Sequence, residues 1–147
     1  MNEYYNTNIQ WIDSITIPDY AFILLWSKRR WGKWVLCRNL LKKITTDFDI
    51  DAIIVFWRTA ALTKDFDFIE QQYIYDYDET AESKIKKIIE YQKKNIKSGK
   101  TKNIIILFDD ITLYKENHQI SNLASLGRHL KIFVIMSCQH AKKIVST

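Results

Sequence analysis

Four short runs of this chain are apolar at almost every position: "AFILLW" (21–26), "DAIIVFW" (51–57), "NIIILFDD" (103–110) and "KIFVIMSC" (131–138). A strand with one wet face alternates apolar and polar residues, so unbroken β-branched runs of this length predict strands covered on both faces. Between them the apolar period becomes helical. Cys37, Leu40, Leu41 and Ile44 share one helical face after the first run, and residues 79–97 set Ile85, Ile88, Ile89 and Ile96 near one stripe with lysines opposite. "SGK" (98–100) reads as the stop of that second helix. A shorter third helix is expected from Ser121, as N-cap, to Gly127, as C-cap. Strand, helix, strand, helix, strand, helix, strand is the order of a three-layer α/β domain with a mainly parallel sheet and right-handed crossovers. The partly alternating "NIQWIDSITI" (8–17), just before Pro18, is a candidate edge strand.

With 147 residues, 47% of them hydrophobic, the chain can close one sizeable core, and only three glycines and one proline leave no linker that would separate a second module. Residues 1–147 are therefore expected to form one domain. The longest apolar runs fall far short of the roughly 20 residues that span a bilayer. "MNEYYNTNIQWID" carries acids and no apolar core of a secretory signal, so an intracellular protein without membrane contact is expected. Cys37 and Cys138 each sit in an apolar stretch and read as buried, reduced thiols. Lysines and arginines number 22 against 17 acids, a net charge of +5, which permits a nucleic-acid partner without demanding one. The basic residues cluster in "SKRRWGK", in "KIKK" (84–87) and in "KKNIKSGKTK" (93–102). For the latter two, solvated helix and loop surface is the simpler reading.

"SKRRWGKW" (27–34) lies between the first strand and the first helix. A phosphate-binding loop of the form G-x-x-x-x-G-K-[ST] occupies that place: backbone N–H groups and the helix N-terminus surround the phosphates, the lysine reaches the β and γ groups, and the hydroxyl binds Mg²⁺. Ser27, Lys28, Arg29, Arg30, Trp31, Gly32, Lys33 and Trp34 align with it, with Gly32 and Lys33 in agreement and the two ends not. The pattern alone is weak. Its position gives it weight, because ligands of open α/β sheets collect beyond the carboxyl ends of the strands.

Two further elements point to the same edge. "NIIILFDD" ends a buried strand in Asp109 and Asp110, the arrangement in which a first acid holds Mg²⁺ through water and a second orients or deprotonates the attacking water. Gln139 directly follows the fourth strand, where an amide can sense a γ-phosphate or its attacking water.

In order and spacing these segments resemble the genome-packaging ATPases of large DNA viruses, the poxvirus-type branch of the FtsK/HerA superfamily of P-loop motors. "SKRRWGKWVLCRNLL" is similar to that family's phosphate loop and first helix, "VFWRTAAL" to its second strand and turn, and "YDYDETAESKIKKIIEYQ" to its central helix. "IIILFDDI" resembles its Walker B strand and "LASLGRHLKIFVIMSCQ" its Gly-Arg-His segment and sensor strand. The resemblance implies a P-loop NTPase-like fold and the cofactors ATP and Mg²⁺. It also implies Lys33 on the β and γ phosphates, Asp109 in the Mg²⁺ shell, Asp110 on the hydrolytic water and Gln139 on the γ-phosphate. Arg128 would be a finger supplied in trans within a homo-oligomeric ring, with His129 beside it as a structural or coupling residue. The implied activity is ATP hydrolysis that drives double-stranded DNA into a capsid, with capsid or portal-vertex proteins as partners, in the host cytoplasm (viral factory) or the virion.

Four positions depart from the family pattern: Ser27 stands for glycine, Trp31 for a small residue, Trp34 for Ser or Thr, and Trp57 for a small or hydroxyl residue. Indole has one N–H donor and no lone pair suited to a hard cation, so Trp34 removes the direct hydroxyl ligand for Mg²⁺. After Gln139 the sequence continues only as "HAKKIVST", whereas such motors continue with another core strand; a sheet lacking its C-terminal strands is the expectation, with the N-terminal segment as a candidate cover. Two function classes follow: an active packaging motor, or a catalytically impaired paralogue that keeps the scaffold as a nucleotide-binding, DNA-binding or interaction module. A small-molecule P-loop kinase is a weaker third, because no separate lid segment with spaced arginines is present.

Overall fold

The computed structural model describes residues 14–26, 33–57, 73–109, 111 and 118–138. In chain order these form β1 (Phe22–Trp26), α1 (Lys33–Asp47), β2 (Ala52–Trp57), β3 (Ile74–Asp76), α2 (Ala81–Lys97), β4 (Ile104–Asp109), α3 (His118–Leu130) and β5 (Ile132–Cys138). The strands make one sheet in the order β1-β5-β4-β2-β3, and every pairing is parallel. Each strand of the expected four is present, within a residue or two of its expected ends.

Register explains why the runs are apolar throughout. Val55, Ile105, Leu107, Phe133 and Ile135 face one way and pack with Cys37, Leu40, Leu41 and Ile44 of α1. The alternate residues, Ile54, Phe56, Ile104, Ile106, Phe108, Ile132, Val134 and Met136, face the other way, onto Ala81, Ile85 and Ile89 of α2 and Ile120, Leu123 and Leu130 of α3. The sheet is thus the middle layer, with one helix on one face and two on the other. Phe56 and Phe108 stack at 5.3 Å between ring centroids, and each fully buried large apolar side chain contributes on the order of 1.5–3 kcal/mol.

The helix ends differ in how far the local sequence dictates them. α2 stops as expected: Gly99 takes φ 75°, and the N–H groups of Ser98, Gly99 and Lys100 close back onto the carbonyls of Lys94, Ile96 and Asn95. At its other end the Thr80 hydroxyl and N–H both donate to Asp78, which holds that carboxyl below its usual range. α3 overturns both expected caps. It begins at His118, three residues before Ser121, and Glu82 of α2 accepts the Gln119 N–H at 3.0 Å. It also runs through Gly127, where a Cβ would stand 3.2 Å from the Ile132 carbonyl oxygen, so this glycine serves close packing and does not end the helix. The chain turns instead at Lys131, at φ 59°.

Two other expectations change. Residues 14–17, the described part of the candidate N-terminal strand, form no strand; Ile17 is buried against the α1 face without a ladder. The sheet gains β3, whose three residues are too few for an apolar period and whose pairing with β2 is supplied by the fold. Both cysteines are buried thiols outside any disulfide, as expected. No described helix is long and apolar enough to cross a membrane.

Polar knots tie the layers together. Asn103 donates its backbone N–H to Asp51 and its amide to the Asp49 carbonyl, and accepts from the Tyr20 hydroxyl, all at 2.8 Å. Fully buried Gln92 donates to the carbonyls of Lys102 and Leu130, both at 2.8 Å, and accepts from Asn95 at 3.0 Å. Gln92→Met keeps the bulk but strands these partners, so urea unfolding should show a loss of about 1–3 kcal/mol at unchanged m-value.

Candidate functional site

All-parallel pairing sends every strand out at the same edge of the sheet, where Trp26, Trp57, Asp76, Asp109 and Cys138 are the last strand residues. α1 starts at that edge, with Lys33 and Trp34 as its first two residues. The first turn of any α-helix has backbone N–H groups without intrahelical partners, and this one carries no acidic side chain, a combination that favours an anion.

Asp109 ends β4 on the α1 side of the sheet, two and four residues beyond Leu107 and Ile105, which pack against α1. The start of α1 and the Asp109 carboxylate therefore share one edge and one face. β5 lies between β1 and β4, which separates their ends by two strand spacings, about 10 Å.

Cross-strand neighbours shape the carboxylate. Ser137 of β5, 1% exposed, donates its hydroxyl to Asp109 Oδ1 at 2.9 Å. This bond fixes the direction of the carboxylate. Trp57 is the register partner of Asp109 on the other side, half-buried in the α1-side cluster. An indole thus flanks the acid where the resembled family has a small or hydroxyl residue. Among the described residues no group of three or more His, Cys, Asp or Glu side chains could hold a metal directly. One oriented carboxylate suits Mg²⁺ that keeps most of its waters and is held mainly by phosphates.

Sequence reasoning missed Ser137. The signal was there: one hydroxyl in a strand otherwise apolar, two residues before Gln139. Arg128 lies elsewhere. α3 runs from the carboxyl edge back to the amino edge over about 20 Å, and Arg128 and His129 are exposed in its last turn. Within one chain the structure does not bring Arg128 to Asp109 or to the start of α1. Ser27, Lys28, Arg29, Arg30, Trp31, Gly32, Asp110 and Gln139 lie outside the described residues.

Comparison with known proteins agrees with this architecture. An EssC fragment (ATPases 2 and 3) from Geobacillus thermodenitrificans superposes with a TM-score of 0.62 at 18% identity, covering 85% of this chain and 29% of that one. The pCW3 conjugation coupling protein TcpA, solved with ATPγS, gives 0.61 at 19% identity, covering 89% of this chain and 46% of that one. The genome-packaging NTPase B204 of Sulfolobus turreted icosahedral virus 2, in complex with ATPγS, gives 0.54 at 16% identity, covering 86% and 68%. These likenesses establish the P-loop ATPase fold, and the chain spans less than half of the first two proteins. No curated protein sequence matches it. The family described as Poxvirus A32 protein matches residues 19–147, and with that match over most of its length the chain belongs to this family.

Proposed function

We propose that this chain is the ATP-binding unit of a viral DNA-packaging motor, which couples ATP binding and hydrolysis to the movement of double-stranded DNA into a capsid. The observation that carries the reading is the meeting of the α1 N-terminus and Asp109 on one edge and one face of the sheet. Family membership and the likeness to a packaging NTPase solved with ATPγS support it.

In this reading the loop 27–32 and the first N–H groups of α1 surround the phosphates, and Lys33 neutralises charge on the β and γ groups. Mg²⁺ supplies further charge neutralisation when bound. Asp109, oriented by Ser137, holds it through water. Asp110 orients or deprotonates the attacking water, and Gln139 reads the γ-phosphate. Arg128, remote from its own site, serves the site of a neighbouring subunit in a homo-oligomeric ring. The ring works with capsid or portal-vertex proteins in the viral factory or the virion. Residues 1–147 act as one domain.

A second reading, a catalytically impaired paralogue that binds nucleotide or DNA, is favoured by the indoles: Trp34 offers Mg²⁺ no oxygen, and Trp57 flanks Asp109. Mg-ATP hydrolysis with and without duplex DNA separates the two. If the wild-type chain hydrolyses ATP and DNA stimulates it, the motor reading stands; if only Trp34→Ser hydrolyses, the chain is a disabled motor.

Lys33→Ala should weaken ATPγS binding about tenfold or more by calorimetry, and unchanged affinity would remove Lys33 from the site. Ser137→Ala should raise the Mg²⁺ concentration needed for half-maximal nucleotide binding about tenfold, with rescue by Ser137→Thr. A Ser137→Ala variant with wild-type Mg²⁺ dependence would deny the hydroxyl its orienting role.

A further inference from the structure

Two segments carry most of the positive charge: residues 28–43, with seven basic residues and no acid, and residues 81–102. Residues 81–102 carry eight lysines and two glutamates, a net of +6 in a chain whose total is +5, so all other residues sum to −1. Lys86, Lys87, Lys93, Lys94, Lys97 and Lys100 are exposed, and none makes an ion pair with another described residue. Of the two acids of α2, Glu82 is engaged at the start of α3, leaving Glu90 alone among the lysines.

A patch this basic weakens its own helix by self-repulsion, and too few acids stand nearby to relieve it. We propose that the outer face of α2 binds the phosphate backbone of duplex DNA, at a surface separate from the nucleotide edge. This deepens the packaging reading, on which the choice of DNA rests.

Three observations select a duplex over other polyanions. Lys87 and Lys94 stand two helical turns apart, about 10 Å, on a rigid helix held to the sheet by Ile85 and Ile89, and so present fixed charges to a regular array of phosphates. Single strands call for successive aromatic platforms, and α2 exposes only one aromatic, Tyr91, at 53%. Insertion into a membrane interface would need the apolar face of the helix, and the core has already taken Ile85 and Ile89.

α2 leaves β3 at the carboxyl edge and reaches β4 at the amino edge, so its lysine-rich second half lies roughly 20 Å from the nucleotide edge. DNA contact there needs no nucleotide and leaves nucleotide affinity unchanged.

The test is fluorescence anisotropy of a short random-sequence duplex with the full chain, without nucleotide, across about 50–200 mM salt. Wild type should bind, with log affinity falling linearly against log salt. The combined variant Lys87→Glu, Lys94→Glu, Lys97→Glu should lose at least about tenfold in affinity, with a slope shallower by about 0.9 per lysine lost. The matching Lys→Arg variant should retain binding, and both variants should keep the wild-type circular dichroism spectrum and ATPγS affinity. Equal duplex binding by the Glu variant, absence of duplex binding by wild type, or preference of wild type for phosphatidylserine vesicles or single strands would each overturn the proposal. The nucleotide reading fails on a different result, ATPγS affinity insensitive to Lys33→Ala.

Discussion

Parallel pairing is the constraint from which the rest follows. Two adjacent parallel strands cannot be joined by a tight turn, so each connection must cross a face of the sheet, and the helices that make those crossings bury both faces. β4 and β5, at the centre, become almost wholly apolar, and their only polar side chains stand at the exit edge: Asp109 and Ser137. A carboxylate and its hydroxyl partner are therefore placed by the same rule that makes the core. The strand order adds the spacing, since β5 separates the end of β1 from the end of β4.

The chemistry of that edge is a balance between an anion-attracting helix start and a single oriented acid. Ser137 holds the Asp109 carboxylate in one direction, which is what a water-mediated cation site asks of its acid. The indole of Trp57 on the other side of Asp109 replaces a polar neighbour with an apolar one, which limits the oxygen atoms available around a cation. The opposite edge has another character. The α2 and α3 layer ends there in basic residues, while acids such as Asp78 and Glu82 lie near the start of α2. Along α2, charge is thus sorted from acidic at its start to basic at its end.

Much of the fold was legible because its signals are local. Unbroken apolar runs announced four strands, the stripe of Cys37, Leu40, Leu41 and Ile44 announced α1, and "SGK" announced the end of α2. What escaped depends on distant partners. An acceptor at the start of α3 comes from Glu82, 37 residues away, so Ser121 looked like the nearer candidate. Gly127 has the composition of a helix stop but is small because of the Ile132 carbonyl. β3 exists through its ladder with β2. In the site, Asp109 could be placed from its strand, whereas Ser137 acquired its role only when β4 and β5 were known to be neighbours.

The central claim is that the start of α1 and Asp109 form one site for a nucleotide and its cation. The most direct measurement is the coupling between Mg²⁺ and ATPγS in calorimetric titrations of the wild-type chain and Asp109→Asn, each with and without the cation. The account predicts that Mg²⁺ tightens nucleotide binding to the wild type by at least about tenfold, near 1.4 kcal/mol, and that most of this coupling vanishes in Asp109→Asn. Equal coupling in both proteins would contradict it.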